Sequence, residues 1–419
     1  FQGLKNLRRR NRAPFPVPPD SIDATLLTHA HIDHTGYLPV LVRDGLRGPV
    51  LATGPTADLA AIMLPDAGHL QEEEARFANR HGISKHSPAL PLFTIEDARA
   101  AVERIEPVAY EVDLPLPGGA TARFRRNGHI LGSASITLRV DGRTLVFSGD
   151  LGRPGDPLLY DPRPVEEADY LVVESTYGGR YHADVDPAEA LADAVRTVAG
   201  RGGVIVIPAF AVGRTQTILL HLGRLRDAGA IPSVPMFLDS PMARNVTDLI
   251  DRHHAELRVT AAEWAELTRD LVITNSVDDS KAIDARRGPM IVVSASGMAT
   301  GGRVIHHLKA FAPHHRNMVL FAGFQAPGTR GQAMVDGVQT IRIHGQDIPV
   351  RAEVRMLDGL SAHADETEIL DWLRGFQSPP RETFITHGEP LASDNMRRAI
   401  QEQLGWEARA PEHLETVEL

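Results

Sequence analysis

The sequence contains no cysteine. This excludes disulfides and any thiolate zinc site, and leaves imidazole and carboxylate as the metal-binding groups. Such donors suit an open, catalytic centre rather than a structural one. The same absence fits a cytoplasmic protein. No apolar run approaches the ~18 residues of a membrane span, and no secretory leader is visible, so no membrane role is expected. An initiating methionine is also missing: the chain opens Phe1-Gln2-Gly3, as a piece of a longer product would. Nor is there an excess of basic charge. A net charge of −10 argues against a general nucleic-acid coat protein. It does not exclude a nuclease, because bound divalent cations reverse the local field.

With 419 residues, the chain is long enough for two domains or one large one. Its 42% hydrophobic and 23% charged residues are ordinary for a globular protein. One stretch stands out: Leu26-Leu27-Thr28-His29-Ala30-His31-Ile32-Asp33-His34-Thr35-Gly36. Three imidazoles and a carboxylate fall directly behind the apolar run Ala24–Leu27, which reads as a buried strand, and a glycine then marks a turn. Open α/β sheets place their sites at such strand ends. In extended chain His29 and His31 point to one side. Asp33 and His34 fall in the turn and aim elsewhere, so one short segment can serve two metal ions. A plain histidine-rich surface loop is the alternative, but groups packed this closely repel or desolvate one another unless a cation holds them.

Along the chain, residues 1–20 are basic (Lys5, Arg8, Arg9, Arg10, Arg12) and then proline-rich, suiting a solvated loop or a phosphate contact equally. A strand at Pro49–Ala52 precedes a polar helix near His69–Asn79, whose Glu72, Glu73 and Glu74 diverge and mostly face solvent. Residues 121–150 read as three strands carrying Asn127-Gly128-His129-Ile130-Leu131-Gly132-Ser133-Ala134 and Ser148-Gly149-Asp150. Tyr170–Val173 ends in Glu174-Ser175-Thr176-Tyr177-Gly178. From about residue 183, strand–loop–helix units repeat, with small, glycine-rich loops after the strands at Gly203–Pro208, Met236–Leu238, Met290–Val293 and Val319–Phe321. This reads as a second doubly wound α/β unit. Its loops let backbone N–H groups approach an anion, although tight turns need glycine anyway. Near the end, Ser361-Ala362-His363-Ala364-Asp365 and Ile385-Thr386-His387-Gly388-Glu389 again follow strands. The pairs His253-His254, His306-His307 and His314-His315 are sequence neighbours, point about 100° apart on a helix, and read as surface residues.

The series His29, His31, Asp33, His34, His129, Asp150, Glu174, His363 and His387 resembles the β-CASP group of metallo-β-lactamase nucleases. It is more similar to the RNA-cleaving branch that holds the cleavage and polyadenylation endonuclease subunit and its bacterial and archaeal relatives. Glu174–Gly178, Ser361–Asp365, Ile385–Glu389 and Gly323–Gly331 match motifs of that branch. The resemblance implies a metallo-β-lactamase αββα sandwich with an inserted β-CASP α/β domain, laid out as 1–182, 183–345 (the insertion) and 346–419. It also implies N-terminal strands and an aspartate ahead of Phe1-Gln2-Gly3, absent from this sequence.

The same resemblance implies two Zn2+ per chain. His29, His31 and His129 would hold one, Asp33, His34 and His387 the other, with Asp150 bridging; such sites also tolerate Mn2+. Two metals activate a water for in-line displacement at phosphorus. Asp33 would orient that water, and His363 would be the general acid, held by Glu174. Single-stranded RNA would lie between the domains, touching Arg214, Ser294, Ser296, Gly297, Gly328, Thr329 and Arg330. A homodimer is left open. A thioester or lactam hydrolase does not need an insertion of roughly 160 residues on a ~250-residue domain. A DNA nuclease of the group typically lacks the histidine at 387, and a catalytically dead subunit would not keep all seven ligands.

Overall fold

A computed structural model of the chain describes residues 7, 9–182, 185–274, 276–323 and 325–419. The Phe1-Gln2-Gly3 motif, Lys5, Arg8 and Phe324 lie outside the described residues. Two compact units emerge: Phe1–Tyr181 with His363–Leu419, and His182–Ala362. No described helix is long and apolar enough to cross a membrane.

The first unit begins with three parallel strands, β1 (Thr25–Leu26), β2 (Val50–Thr53) and β3 (Ile105–Val108). A second sheet follows from β4 (Leu114–Pro115), β5 (Thr121–Arg126), β6 (Ala134–Val140), β7 (Arg143–Phe147) and β8 (Tyr170–Glu174). In β5 the period of two is plain: Ala122 and Phe124 are buried, while Arg123 and Arg125 point to the other face. The β6–β7 hairpin closes on Asp141-Gly142, both at positive φ (49° and 74°), a turn whose twist matches the strands it joins. Between the two sheets, Leu51, Ala122, Phe124, Ala134 and Ile136 form a core to which Leu26 and Val108 add.

The second unit holds β9 (Val204–Pro208), β10 (Met236–Asp239), β11 (Leu271–Ile273), β12 (Met290–Ser294) and β13 (Met318–Ala322). A hairpin of β14 (Thr340–Ile343) and β15 (Gln346–Pro349) precedes β16 (Glu353–Leu357). The six-stranded sheet runs β11-β10-β12-β9-β13-β16, all parallel. β9, β12 and β13 are buried along their whole length, as parallel strands covered on both faces must be. The chain leaves β9 toward one edge and later crosses from β12 to β13 on its other side. The crevice beyond the carboxyl end of β9 is thus a topological switch point. The sequence places the end of the insertion at 345. The structure instead extends the second unit to Ala362, because β16 pairs along β13 from Met318↔Glu353 to Ala322↔Leu357.

Back in the first unit, β17 (Glu382–Thr386) and β18 (Ala408–Arg409) complete a seven-stranded sheet, β18-β17-β8-β7-β6-β5-β4. Helices Glu366–Leu373 and Pro390–Leu404 cover its other face through Ile369, Leu370, Leu373, Met396 and Ile400, packed on Val146, Leu171, Val173 and Ile385. Two sheets packed face to face with helices outside make the metallo-β-lactamase sandwich.

One surface expectation is overturned. His306 is exposed, but His307, one position on in helix Val304–Phe311, is fully buried. Neighbours on a helix diverge, and here the second turns inward. Its Nε2 lies 2.7 Å from Asp239 Oδ2 and its Nδ1 2.6 Å from Asp284 Oδ1. Asp239, at the end of β10, also accepts from Thr274, Ser280 and Arg303. Burial alone would push the Asp239 carboxyl up, but these donors hold it well below the carboxylate range. Burial would push His307 down, and its two carboxylate partners raise it above 6.5 instead.

The depressed Asp239 therefore stabilises the unit above pH 3.8, and that contribution is lost as pH falls below it. The raised His307 stabilises fully below pH 6.5, and its contribution is lost as pH rises through its folded value. His307→Ala is expected to cost about 3–5 kcal/mol, the usual result of breaking a buried charged pair. Urea unfolding at several pH values checks this: the variant should also lose the decline in stability above pH 6.5. A variant as stable as the parent, with the same slope, refutes the pairing.

Candidate metal centre

Each candidate ligand is carried by a loop at a strand end in the first unit. After β1, Leu27 N–H donates to Leu51 O (2.9 Å) and Ala134 N–H donates to Thr28 O (2.8 Å), pinning the segment that presents His29 and His31. The short helix Ile32–Thr35 then carries Asp33 and His34. His129 sits between β5 and β6, its N–H donating to Ser133 Oγ at 3.0 Å. That loop passes directly over the start of helix Gly54–His81. Thr53 and Thr56 hydroxyls donate to Gly132 O (2.6 and 2.8 Å), and a Cβ on Gly132 (φ +85°) would lie 2.4 Å from Thr56 N. Only glycine fits. Asn127 Nδ2 clips this loop to the next ligand by donating to Ser148 O and Asp150 O (2.7 and 2.6 Å).

His387 follows β17 at a positive φ (55°), uncommon for a residue other than glycine though histidine enters this region more readily than most. Thr176 holds it there, its Oγ1 lying 3.1 Å from both His387 Nδ1 and His387 O.

These loops bring all seven predicted ligands together in two sets. His29 Nε2 and His129 Nε2 each lie 3.1 Å from His31 Nδ1, and 3.5 and 3.6 Å from Asp150 Oδ2. In the second set, His387 Nε2 lies 3.0 Å from His34 Nε2 and 3.3 Å from Asp33 Oδ2. The other oxygen of Asp150, Oδ1, faces this set, 3.3 Å from His34 Nε2 and 3.2 Å from His387 Nδ1. One carboxylate thus turns one oxygen to each set.

Does this donor set fit metal? Four ligands at the zinc distances of 2.0–2.1 Å form a tetrahedron with edges of roughly 3.3 Å, close to the separations of the first set. Three imidazole nitrogens converging on one point have no proton arrangement that satisfies them all. Asp150 Oδ1 is buried with no hydrogen bond in line, although two imidazole nitrogens are near it. Burial pushes His29 and His129 well below the usual imidazole range and His31 to about 4, so all three offer the neutral lone pair that ligation requires. In the second set burial opposes charge, yet Asp150 and Asp33 push His387 up to about 10. The histidines around Asp33, His387 first and then His34 and His31, outweigh burial and hold its carboxyl well below the carboxylate range. The residues fit two cations.

His363 stands beside this centre, its ring centroid 4.4 Å from that of His129. Its Nδ1 lies 3.3 Å from Glu174 Oε1, which also accepts from Leu151 N–H at 2.6 Å. Burial would lower the His363 imidazole, but the charge and hydrogen bond of the buried Glu174 raise it. Thr28, whose hydroxyl lies 3.2 Å from His29 Nδ1, Thr176 and Asn127 orient the ligands, and the sequence reading gave them no role. Each lies within two residues of a predicted site residue, which was the available signal.

The second unit answers differently. The sequence predicts phosphate-contacting guanidinium groups at Arg214 and Arg330; the structure turns both inward. Arg214 is buried, and a Cβ on Gly323 would lie 3.7 Å from its guanidinium. Arg330 donates to Arg342 O through Nε and Nη2 (3.2 and 2.9 Å) and to Ala299 O. Ser294 is buried and donates to Asp239 O at 2.8 Å. Thr329 caps helix Arg330–Val335 by accepting from Gln332 N–H. Ser296 bonds Thr300, and Gly297 packs under Phe210. Only Gly328 has open space beside it. Arg330→Ala is expected to cost about 1–3 kcal/mol by leaving two carbonyls without donors. Chemical denaturation checks this; unchanged stability means the contacts carry no weight.

Three family descriptions match the chain: "Beta-lactamase superfamily domain" over residues 2–206, "Beta-Casp domain" over 215–334 and "Zn-dependent metallo-hydrolase RNA specificity domain" over 347–411. A protein of Thermus thermophilus named a ribonuclease is 37% identical over 93% of this chain and 86% of its own length. The chain belongs to the β-CASP metallo-β-lactamase ribonuclease family. By that membership it is a metal-dependent hydrolase. The transcription termination factor FttA of Methanosarcina mazei is 31% identical over 97% of this chain, and that of Pyrococcus abyssi 29% over 95%. The chain spans 64% and 62% of the length of these two relatives.

Proposed function

We propose that the chain is a zinc-dependent ribonuclease that hydrolyses phosphodiester bonds of single-stranded RNA, in processing or decay. The observation that carries this reading is the division of Asp150 between two ligand sets, with the Glu174–His363 pair beside them. His29, His31, His129 and Asp150 Oδ2 would hold one zinc ion; Asp33, His34, His387 and Asp150 Oδ1 would hold the other. Bound there, the two ions would supply a nucleophilic water and Lewis-acid stabilisation at phosphorus.

The chain's own residues do the rest. Asp33, the most exposed of the carboxylate ligands, orients the attacking water by accepting its hydrogen bond. His363 carries a proton toward the leaving 3′ oxygen, and Glu174 fixes its tautomer and keeps it charged. The N–H groups of Ser296, Gly297 and Gly328 take non-bridging phosphate oxygens, while Arg330 braces the Ser296–Gly297 loop by donating to Ala299 O.

A ribonuclease name on one relative and an "RNA specificity" domain over residues 347–411 support RNA over other substrates. Labelled RNA, DNA and a thioester, each incubated with the chain with and without chelator, test the reading. RNA alone should be cut, and only without chelator. Cleavage of DNA or thioester in preference to RNA, or chelator-resistant cleavage, contradicts it.

A further inference from the structure

We propose that the Phe210 ring is a nucleobase-stacking platform in the inserted unit, a reading that rests on the RNA substrate proposed above. Phe210 stands just past β9, at the switch point of the six-stranded sheet. It is 38% exposed, whereas the strand β9 that leads to it is buried along its whole length.

The ring is held in place. Thr215 donates to Phe210 O through both N–H and Oγ1, at 3.2 and 2.8 Å, which fixes the backbone beneath it. One part of the ring rests on Gly297. A Cβ there would lie 2.7 and 2.9 Å from two ring carbons, so any other residue would lift the ring away. Gly297 is itself fixed, its carbonyl accepting from the buried Gln325 Nε2 at 3.2 Å.

A half-exposed aromatic therefore sits against the loop after β12, where Gly297 lies under the ring and Ser296 and Thr300 are bonded to each other. A docking surface for a protein would be a broad apolar patch. A single flat ring beside a loop of small residues suits one base of a strand instead. Every base has a π-face, so the platform confers grip without sequence preference.

The test is steady-state cleavage of an oligouridylate by the full chain and by Phe210→Ala and Phe210→Trp, beside a strand of equal length carrying an abasic site at each position in turn. Losing one stacked base should raise the Michaelis constant of Phe210→Ala roughly 5- to 100-fold, with a smaller effect on turnover. Phe210→Trp should stay near the parent. At one abasic position the parent should weaken to match Phe210→Ala, which itself loses nothing further there.

An alanine variant indistinguishable from the parent, or one equally impaired on every abasic strand, overturns the platform while leaving the ribonuclease reading intact. A parent that cuts no RNA overturns both, and that arm is read first.

Discussion

Asp150→Asn is expected to bind at most one equivalent of zinc per chain and to lose RNA cleavage by roughly 10³-fold or more. The second figure follows from several kcal/mol of Lewis-acid stabilisation at phosphorus. The amide keeps the shape of the carboxylate but removes its charge between two cations. It also replaces one oxygen donor, now 3.5 and 3.6 Å from His29 and His129 or 3.2 Å from His387, by an N–H that cannot ligate. The fold should survive, because Asn127 grips the Asp150 backbone carbonyl rather than its side chain. Metal analysis by mass spectrometry after gel filtration decides the point. Two equivalents retained would refute the bridging role.

His363→Ala is expected to keep both metals and bind RNA normally while cleavage falls by ~10²–10⁴-fold, the usual worth of a general acid. His363 Nδ1 is directed at Glu174 rather than into either ligand set. A substrate with a better leaving group than a ribose 3′ oxygen should recover part of the loss. His387→Ala should behave oppositely and lose a metal, because its Nε2 lies 3.0 Å from His34 Nε2 and 3.3 Å from Asp33 Oδ2. A His363→Ala variant that loses metal, or cleaves at the parent rate, would contradict this division of labour.

The clustering of the seven proposed ligands was legible in the sequence because most of the pattern is local. Four candidate ligands lie between His29 and His34, Asp150 and His387 follow apolar strands, and His129 follows an alternating one. The placement of His363 against Glu174 was readable by resemblance alone, since 189 residues separate them and no local pattern joins them.

Elsewhere the deciding contacts were tertiary. Glu353–Leu357 reads as a strand whichever sheet receives it, and pairing with β13 put it in the inserted unit. His306 and His307 are indistinguishable in sequence, yet only one faces Asp239. An arginine in a glycine-rich loop looks like a phosphate contact until its donors are traced, and those of Arg330 end on Ala299 and Arg342 carbonyls. Phe210 drew no reading from the sequence, because exposure cannot be read from a residue between two alanines.

The most direct test of the two-metal ribonuclease account is a zinc titration of the chelated chain with the RNA cleavage rate read at each addition. The account predicts no cleavage without metal, little at one equivalent per chain, and a maximum at two. Full activity at one equivalent, or RNA left uncut at two, would contradict it.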